Sequence, residues 1–275
     1  MGLTNQPLYT TLNNGSQMPL LGLGVYDMHA TEAVNAVQFA LETGYRLIDT
    51  AAMYENEKQI GEGIRRSGIP RDEIFLTTKV NNCDQGYDAT LKAFEKSMKA
   101  LNAEQIDLYL IHWPIKDHRK ETWRAIEFLY NNKMVKNIGV ANYLIPFLLE
   151  LEMYANITPT INQMEFSPFL LMQEEWNYCK KHDIIVQAYT PLIRGQKFND
   201  PRLMHLTEKY QKTPAQIILR WAVQQGISTI PKSSNPSRIR ENFFIFDFEI
   251  EPADIQFMNT WNENFRIVDN PLDML

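Results

Sequence analysis

The alternation of short apolar runs with amphipathic stretches is the dominant pattern along this chain. Eight apolar runs predict β-strands, at residues 21–25, 46–49, 74–79, 106–112, 135–141, 160–165, 184–190 and 228–231. They lack the clean alternation of polar and apolar positions that a half-exposed strand has. Such runs are typical of parallel strands that are buried on both faces, as in sheets covered by helices.

Amphipathic stretches with helical spacing lie between the apolar runs. They predict helices at residues 31–42, 89–101, 121–131, 144–154 and 172–182, and a further one after Tyr54 that ends at Gly61. Another helix is predicted to start at Thr213, because Pro214 suits a first turn and Gln216 can complete a capping box with the threonine.

The unbroken series of strand and helix alternations predicts an α/β fold, a (β/α)8 TIM barrel that forms one domain over residues 1–275. The alternative is a doubly wound sheet, which more often carries a Gly-x-Gly-x-x-Gly turn after its first strand. Here Gly22-Leu-Gly24 is followed by Val-Tyr-Asp, so that turn is missing. Residues 8–20 contain Asn13-Asn-Gly-Ser between two strand-like pieces and predict a β-hairpin that caps the bottom of the barrel.

The bulk properties argue against several classes of function. A net charge of −6 and a pI near 5.5 argue against nucleic-acid binding, which depends on clustered Lys and Arg. No apolar run reaches the ~18 residues of a membrane span. The polar N-terminal residues 1–7 lack the apolar core of a signal peptide. Cys83 and Cys179 suggest no disulfide framework, so we expect a cytoplasmic protein without nucleic-acid or membrane partners.

Polar side chains follow the apolar runs at the points where active sites of parallel barrels lie, the C-terminal ends of the strands. Any one of them could be a cap or a hydrogen bond at the rim. Together they favour a functional site at this face, and they are Asp49, Lys79, His112, Asn142, Gln163, Tyr189 and Lys232.

Four residues have a chemistry suited to proton transfer. A phenol such as Tyr54 has an ordinary pKa of about 10, which a neighbouring ammonium such as Lys79 is expected to lower. Asp49 would keep the lysine charged, and His112 could orient a carbonyl oxygen. A structural role is the alternative, with Asp49 and Lys79 as an ion pair between adjacent strands and His112 packed at a loop entry.

Three separated motifs decide between these alternatives. Residues 44–61, 134–143 and 230–245 match in order the three signatures of the aldo-keto reductases, and the chain resembles that family over essentially its full length. The compact bacterial members, of the 2,5-diketo-D-gluconate and methylglyoxal reductase types, are the most similar in pattern. The resemblance implies a catalytic tetrad of Asp49, Tyr54, Lys79 and His112.

The resemblance also implies NADPH-dependent reduction of an aldehyde or ketone, with Tyr54 supplying the proton. Asn142 and Gln163 correspond to the residues that hold the nicotinamide carboxamide, and Tyr189 to the ring that stacks on the nicotinamide. The full set of implied cofactor contacts is Gly24, Val25, Asp49, Asn142, Gln163, Tyr189, Thr190, Pro191, Leu192, Arg194, Lys232, Ser233, Ser234, Asn235, Arg238, Glu241 and Asn242. Tyr26, Tyr54, His112 and Trp113 are the expected substrate contacts.

The third motif also predicts phosphate binding on physical grounds. Lys232, Ser233 and Arg238 place two cations and a hydroxyl at the start of what the pattern predicts to be the last helix. A helix N-terminus with cationic side chains suits a phosphate, here the 2′-phosphate of NADPH.

Two departures from the family pattern bear on the site. Ala141 stands where the family usually has Ser or Cys, and Asn81 where many relatives have Trp, so one carboxamide contact is missing and the substrate pocket is more polar or open. The segment after Trp261 is also short. We expect a monomer that acts on a small carbonyl compound.

Two other functions remain as alternatives. A nucleotide-binding regulatory barrel with little turnover is the first, although the complete tetrad speaks against it. A metal-dependent barrel hydrolase is the second, and it would need ligands at strand ends. His29, His118, His182 and His205 all fall on predicted helices or loops, so no metal site is expected.

Overall fold

An eight-stranded parallel sheet lies at the centre of the computed structural model, which describes residues 8–274. The two strands of an antiparallel hairpin precede it, β1 (Tyr9–Thr11) and β2 (Gln17–Pro19). The eight parallel strands, each beside the next in chain order, are β3 (Leu23–Gly24), β4 (Leu47–Asp49), β5 (Phe75–Val80), β6 (Ile106–Ile111), β7 (Val135–Ala141), β8 (Ile161–Glu165), β9 (Ile185–Tyr189) and β10 (Ser228–Thr229). Segment 1–7, for which no signal peptide is predicted, lies outside the described residues.

The sheet closes on itself between its first and last strands. The backbone N–H of Gly22 donates to the carbonyl of Thr229 (2.9 Å), and that of Gly24 donates to the carbonyl of Pro231 (3.1 Å). The two backbone segments approach so closely here that a Cβ at Gly24 would lie 2.7 Å from the carbonyl oxygen of Ile230. The predicted (β/α)8 barrel is therefore confirmed, and the doubly wound sheet is wrong.

Helices surround the sheet and cover its outer face. They are α1 (Ala30–Thr43), α2 (Glu57–Ser67), α3 (Tyr87–Leu101), α4 (Arg119–Asn131), α5 (Ile145–Glu152), α6 (Gln173–Lys181), α7 (Pro201–Tyr210), α8 (Pro214–Gln224), α9 (Pro236–Phe243) and α10 (Pro252–Met258). The predicted capping box of Thr213 and Gln216 starts α8. Within residues 8–274 no helix has the length and apolar character needed to cross a membrane.

Three predictions about strands and helices need correction. The first barrel strand is only two residues long, because the chain at residues 21–25 pairs on one side through isolated bridges. Helix α2 does not end at Gly61 but runs on to Ser67. Gly61 lies inside the helix, where a Cβ would stand 2.3 Å from the carbonyl oxygen of Leu101. The helix that follows Lys232 is α9 and is not the last one, since α10 comes after it.

The lower half of the barrel interior is apolar and is plugged by the hairpin. Leu12 and Met18 from the hairpin pack with side chains near the beginnings of the parallel strands, among them Leu47, Phe75 and Ile161. Amide groups at the hairpin turn hold it in place. The Nδ2 of Asn13 donates to the carbonyl of Pro159 (3.0 Å), and the Nδ2 of Asn14 donates to the Oδ1 of Asn137 (2.9 Å). The predicted cap at the bottom of the barrel is confirmed.

Replacing Met18 by Ala should destabilise the fold, because Met18 is fully buried at the centre of the plug. A buried Met to Ala change costs about 2–5 kcal/mol of unfolding free energy through lost burial and the cavity left behind. Met153, with 85% of its surface exposed, is the matched control and should change the free energy by less than about 0.5 kcal/mol. Urea titrations of both variants measure the difference, and equal effects would contradict the plug.

Candidate active site

The four tetrad residues lie together at the C-terminal ends of neighbouring strands. Asp49 ends β4, Lys79 lies near the end of β5, and His112 directly follows β6. Tyr54 comes from a single 3-10 turn, Ala52–Tyr54, in the loop after β4. The Nζ of Lys79 donates to the Oδ1 of Asp49 (2.6 Å) and to the carbonyl of Thr50 (3.0 Å), and it lies 3.4 Å from the Oη of Tyr54.

The ion pair of Asp49 and Lys79 is completely enclosed. Lys79 has no exposed surface, and Asp49 has 1%. Burial raises the pKa of the Asp49 carboxyl and lowers the pKa of the Lys79 ammonium, while the attraction between the two opposes both shifts. Each charge therefore depends on the other to remain ionised in the barrel.

The pKa of Tyr54 departs from the expectation drawn from the sequence. Burial raises it well above its usual value of 10, and the negative charge of Asp49 and the nearby Tyr26 raise it further. The expectation of a lowered pKa is therefore wrong for this structure, because burial of the phenol and, after it, the charge of Asp49 raise the pKa. The consequence is a phenol that stays protonated throughout the neutral range and can serve as a proton donor.

His112 is a buried and neutral imidazole beside the phenol. The centroids of the Tyr54 and His112 rings are 5.6 Å apart in an edge-to-face arrangement. Burial and the charge of Lys79 lower the pKa of His112 well below 6.5. Its buried Nδ1 has no hydrogen-bond partner among the described residues. A neutral imidazole retains one N–H, which can donate a hydrogen bond to a ligand oxygen.

Asn142 and Tyr189 form a second connected group beside His112. The Nδ2 of Asn142 donates to the carbonyl of His112 (2.9 Å), and its Oδ1 accepts from the Oη of Tyr189 (2.7 Å). Asn142 has a left-handed backbone, with φ 65°, which Asn tolerates better than most residues. The two predicted cofactor residues are thus linked directly.

Gln163 lies on the opposite side of the barrel from Asp49 and yet contacts it. Its Nε2 donates to the Oδ2 of Asp49 (2.7 Å) and to the Oε1 of Gln187 (2.7 Å). The predicted carboxamide contact and the tetrad are therefore parts of one hydrogen-bonded group.

The predicted phosphate segment forms the rim of the barrel at the start of α9. Lys232 and Arg238 are exposed, and neither forms a salt bridge with any residue in the described range. Asn235 caps the helix, and its Oδ1 accepts from the backbone N–H groups of Ser237 (2.9 Å) and Arg238 (3.2 Å). The Oγ of Ser233 accepts from the N–H of Asn235 (3.2 Å). The N–H groups of Ser237 and Arg238 are thus already satisfied, and Lys232 and Arg238 are the cationic side chains at this helix start.

The other predicted cofactor residues surround the same face. Gly24 and Val25 are buried at the end of β3, and the N–H of Val25 donates to the carbonyl of Asp49 (3.2 Å). The segment after β9 contains left-handed residues at Thr190 and Arg194, with φ 48° and 49°. The remaining members are Pro191 and Leu192 on this segment, and Ser234, Glu241 and Asn242 near α9. The carboxylate of Glu241 is partly used, because it accepts from the Oγ1 of Thr213 (2.8 Å).

Tyr26 and Trp113 lie at the outer edge of the tetrad. The ring of Tyr26 is 5.2 Å from that of Tyr54 and is 55% exposed. Trp113 is half-buried, and its carbonyl accepts from the Nε2 of Gln85 (2.7 Å). Asn81 caps a 3-10 turn, Asn82–Asp84, through its side chain, and Ala141 packs inside the barrel.

Asn56 and Glu165 are among the supporting residues that were missed in the sequence. The Nδ2 of Asn56 donates to the carbonyls of Val25 (2.8 Å) and Met28 (3.0 Å), which holds the loop that carries Tyr26. Glu165, at the end of β8, accepts from the backbone N–H groups of Ile267 (2.6 Å) and Val268 (3.1 Å). The short segment after Trp261 therefore returns to the active face. Their positions in the sequence could have identified them, because Asn56 lies inside the first motif and Glu165 ends an apolar run.

The described residues offer no candidate metal site. Residues 8–274 contain no group of three or more His, Cys, Asp or Glu side chains that could hold a metal ion.

The low pKa of His112 predicts how stability depends on pH. A histidine whose pKa is lowered by folding takes up a proton on unfolding, so its contribution is fully present above pH 6.5 and is lost as the pH falls below it. Between about pH 7 and pH 5.5 the loss is about 1 kcal/mol. In the His112→Asn variant that part of the decline should vanish, as measured by urea unfolding at both pH values. The exposed His205→Asn variant is the control, and identical declines in all three proteins would contradict the prediction.

Comparison with known proteins agrees with the geometry of the site. Residues 20–263 match the aldo/keto reductase family. The chain is 47% identical over 265 residues to a glyoxal reductase of Bacillus subtilis, covering 96% of each chain. It is 41% identical over 257 residues to methylglyoxal reductase DkgA of Yersinia pestis, covering 92% of each.

A solved structure is similar across the whole barrel. The crystal structure of a Bombyx mori aldo-keto reductase in complex with NADP matches with a TM-score of 0.89 and 34% identity, over 96% of this chain and 95% of that one. The family match and these relatives do not favour a regulatory barrel without turnover. The chain belongs to the aldo/keto reductase family, as an oxidoreductase of aldehydes or ketones that uses a nicotinamide cofactor.

Proposed function

We propose that the protein reduces small aldehydes and ketones with NADPH, and that Tyr54 donates the proton. The observation that carries this proposal is the position of the Tyr54 Oη, 3.4 Å from the Lys79 Nζ and beside the ring of His112 at the C-terminal ends of the strands. A protonated phenol, a cation and a neutral imidazole then meet at one point. That combination suits protonation of an alkoxide as it forms.

The cofactor preference follows from the charges on the rim. Lys232 and Arg238 have no acidic partner among residues 8–274, and a 2′-phosphate would satisfy both. Asn142 and Gln163 would hold the carboxamide, and Tyr189 would stack on the nicotinamide ring. When bound, NADPH supplies the hydride for the carbonyl carbon.

The ion pair of Asp49 and Lys79 supports proton donation by Tyr54. As the proton leaves the phenol, the phenolate that forms is stabilised by the Lys79 ammonium. Asp49 keeps that ammonium charged in a buried site, at 2.6 Å from its Nζ. Because burial raises the pKa of Tyr54, the phenol holds its proton until a more basic alkoxide appears.

His112 orients the substrate and does not supply a charge. Its low pKa keeps the imidazole neutral at physiological pH, so it offers a hydrogen bond without competing as an acid. Tyr26 and Trp113 form the outer walls, and Asn81 leaves the pocket polar.

Small dicarbonyl compounds are the substrates that we propose first. The relatives at 47% and 41% identity carry the names glyoxal reductase and methylglyoxal reductase. A reactive, polar carbonyl compound fits a site with an exposed Tyr26 at its entrance. Sugar-like compounds and keto acids are the other substrates that we propose. We also propose a cytoplasmic monomer, in keeping with the free cysteines Cys83 and Cys179.

Replacing Tyr54 by Phe should abolish most of the reduction and leave cofactor binding intact. Positioned general acids contribute about 10²–10⁴-fold, so kcat with methylglyoxal should fall by at least about 100-fold. The dissociation constant for NADPH, measured by fluorescence, should change by less than about twofold, because no cofactor contact is removed. Tyr87→Phe, outside the site, is the control. Near-normal turnover by the Tyr54 variant would overturn the mechanism.

Replacing Lys232 and Arg238 together by Ala should weaken binding of NADPH far more than binding of NADH. Each charge-assisted contact is worth about 1.5–3 kcal/mol, so the dissociation constant for NADPH should rise at least about tenfold. Arg240→Ala, on the same helix, is the matched control. Equal losses for the two cofactors would show that no 2′-phosphate is bound at this rim.

A further inference from the structure

A chain of buried polar side chains crosses the barrel beneath the tetrad. The Oδ2 of Asp49 accepts from the Nε2 of Gln163 (2.7 Å), which also donates to the Oε1 of Gln187 (2.7 Å). The Nε2 of Gln187 in turn donates to the Oγ of Ser228 (3.1 Å). All four residues are 0–2% exposed. We call this set, Asp49, Gln163, Gln187 and Ser228, the amide relay.

The charge on Asp49 fixes the direction of every hydrogen bond in the amide relay. An ionised carboxylate can only accept, so Gln163 must turn its NH₂ group toward Asp49. Both N–H bonds of Gln163 are then used, and only its Oε1 remains available. Gln187 must accept from Gln163, and its own NH₂ group then faces Ser228. Ser228 is the one member that can either donate or accept, so the chain is able to reverse only from that end.

We propose that Asp49, besides holding Lys79, sets the polarity of the amide relay, so that Gln163 presents a hydrogen-bond acceptor to the cofactor. The acceptor is the Oε1 of Gln163, and the group it selects is the N–H of the nicotinamide carboxamide. Gln187 is a positioning residue, since it occupies the second N–H of Gln163. The inference rests on the proposed function, because it assigns Gln163 to the carboxamide.

The reverse orientation of Gln163 is disfavoured by the site itself. It would turn the Oε1 toward the carboxylate of Asp49, which is held by Lys79 on its other oxygen. It would also place the Oε1 of Gln163 against the Oε1 of Gln187, and buried acceptors that face each other without a hydrogen are costly inside a protein. The orientation is therefore coupled to the ionised state of the tetrad.

Binding of NADP⁺ and of an analogue tests the orientation of the Gln163 amide directly. NADP⁺ carries a carboxamide, whereas its 3-acetylpyridine analogue carries a methyl ketone without an N–H. Dissociation constants are measured by quenching of tryptophan fluorescence, so no turnover is needed. The wild-type protein should bind NADP⁺ about tenfold more tightly than the analogue, since one well-placed hydrogen bond and its buried acceptor are at stake.

Two substitutions should change this ratio. In Asp49→Asn the new amide gives its oxygen to Lys79 and its NH₂ group to Gln163. The relay then inverts, and the ratio should fall to about one or below. In Gln187→Leu the second N–H of Gln163 is free to turn to the acetyl oxygen, and the ratio should fall to about threefold or less. A purely structural role would weaken both ligands equally and leave the ratio unchanged.

Two matched variants serve as controls. Gln187→Glu retains an acceptor for Gln163 and should keep the ratio of the wild type. Ser228→Ala removes a buried hydrogen bond at the far end of the same relay and should also keep the ratio, because Asp49 and Gln187 both still accept from Gln163. Circular dichroism confirms that each variant is folded. If Asp49→Asn does not fold, the comparison of Gln187→Leu with Gln187→Glu decides the question.

The outcomes separate this inference from the proposed function. An unchanged ratio in both Asp49→Asn and Gln187→Leu overturns the role of the relay. A wild-type protein that binds both forms equally also overturns it, while the proposed reduction stands on its own assay. Failure of the wild type to bind either form overturns both.

Discussion

The buried ion pair of Asp49 and Lys79 is the interaction on which the rest of the site depends. Two charges placed inside a barrel are stable only when each meets the other and the remaining polar atoms are also satisfied. Here the Nζ of Lys79 has Asp49, the carbonyl of Thr50 and the Oη of Tyr54 within 3.4 Å, and the second oxygen of Asp49 has Gln163. The same contacts that stabilise the charges also place the phenol and the amide that face the ligand. Stability and chemistry are therefore difficult to separate at this point.

The barrel supplies the dry surroundings that make this pair effective. Its interior has two layers, an apolar lower one closed by Leu12 and Met18 and a polar upper one that contains the tetrad. Where β3 meets the chain after β10, Gly24 permits an approach that any side chain would prevent. Burial from below and on all sides raises the pKa of Tyr54 and lowers the pKa of His112, so both side chains are neutral at physiological pH.

Much of this architecture could be predicted from the sequence because local pattern and local chemistry agree. The alternation of strands and helices, the hairpin turn and the capping box at Thr213 are properties of short segments, and the structure confirms them. The predicted helix end at Gly61 is wrong, because that glycine allows close packing of the helix against Leu101 and does not end it. The first motif contains Asp49 and Tyr54, and Lys79 and His112 could be found because each lies at the end of an apolar run.

The rest depends on distances that a sequence does not contain. The pKa of Tyr54 was expected to be lowered by Lys79, yet burial, Asp49 and Tyr26 raise it. Gln187 could not be identified from the sequence, because its role depends on the hydrogen bond with Gln163 on the neighbouring strand at 2.7 Å. Glu165 likewise acquires its role only where Ile267 comes back to it, 102 residues later along the chain.

The apolar plug at the bottom of the barrel has a consequence for the traffic of water and protons. Leu12 and Met18 form an apolar layer below the tetrad, whereas the ring of Tyr26, which is 55% exposed, lies beside Tyr54 on the other side. A proton from water reaches Tyr54 more easily from the exposed side than through the apolar layer. Reprotonation of the phenol and release of the alcohol would then take place on the same side of the site.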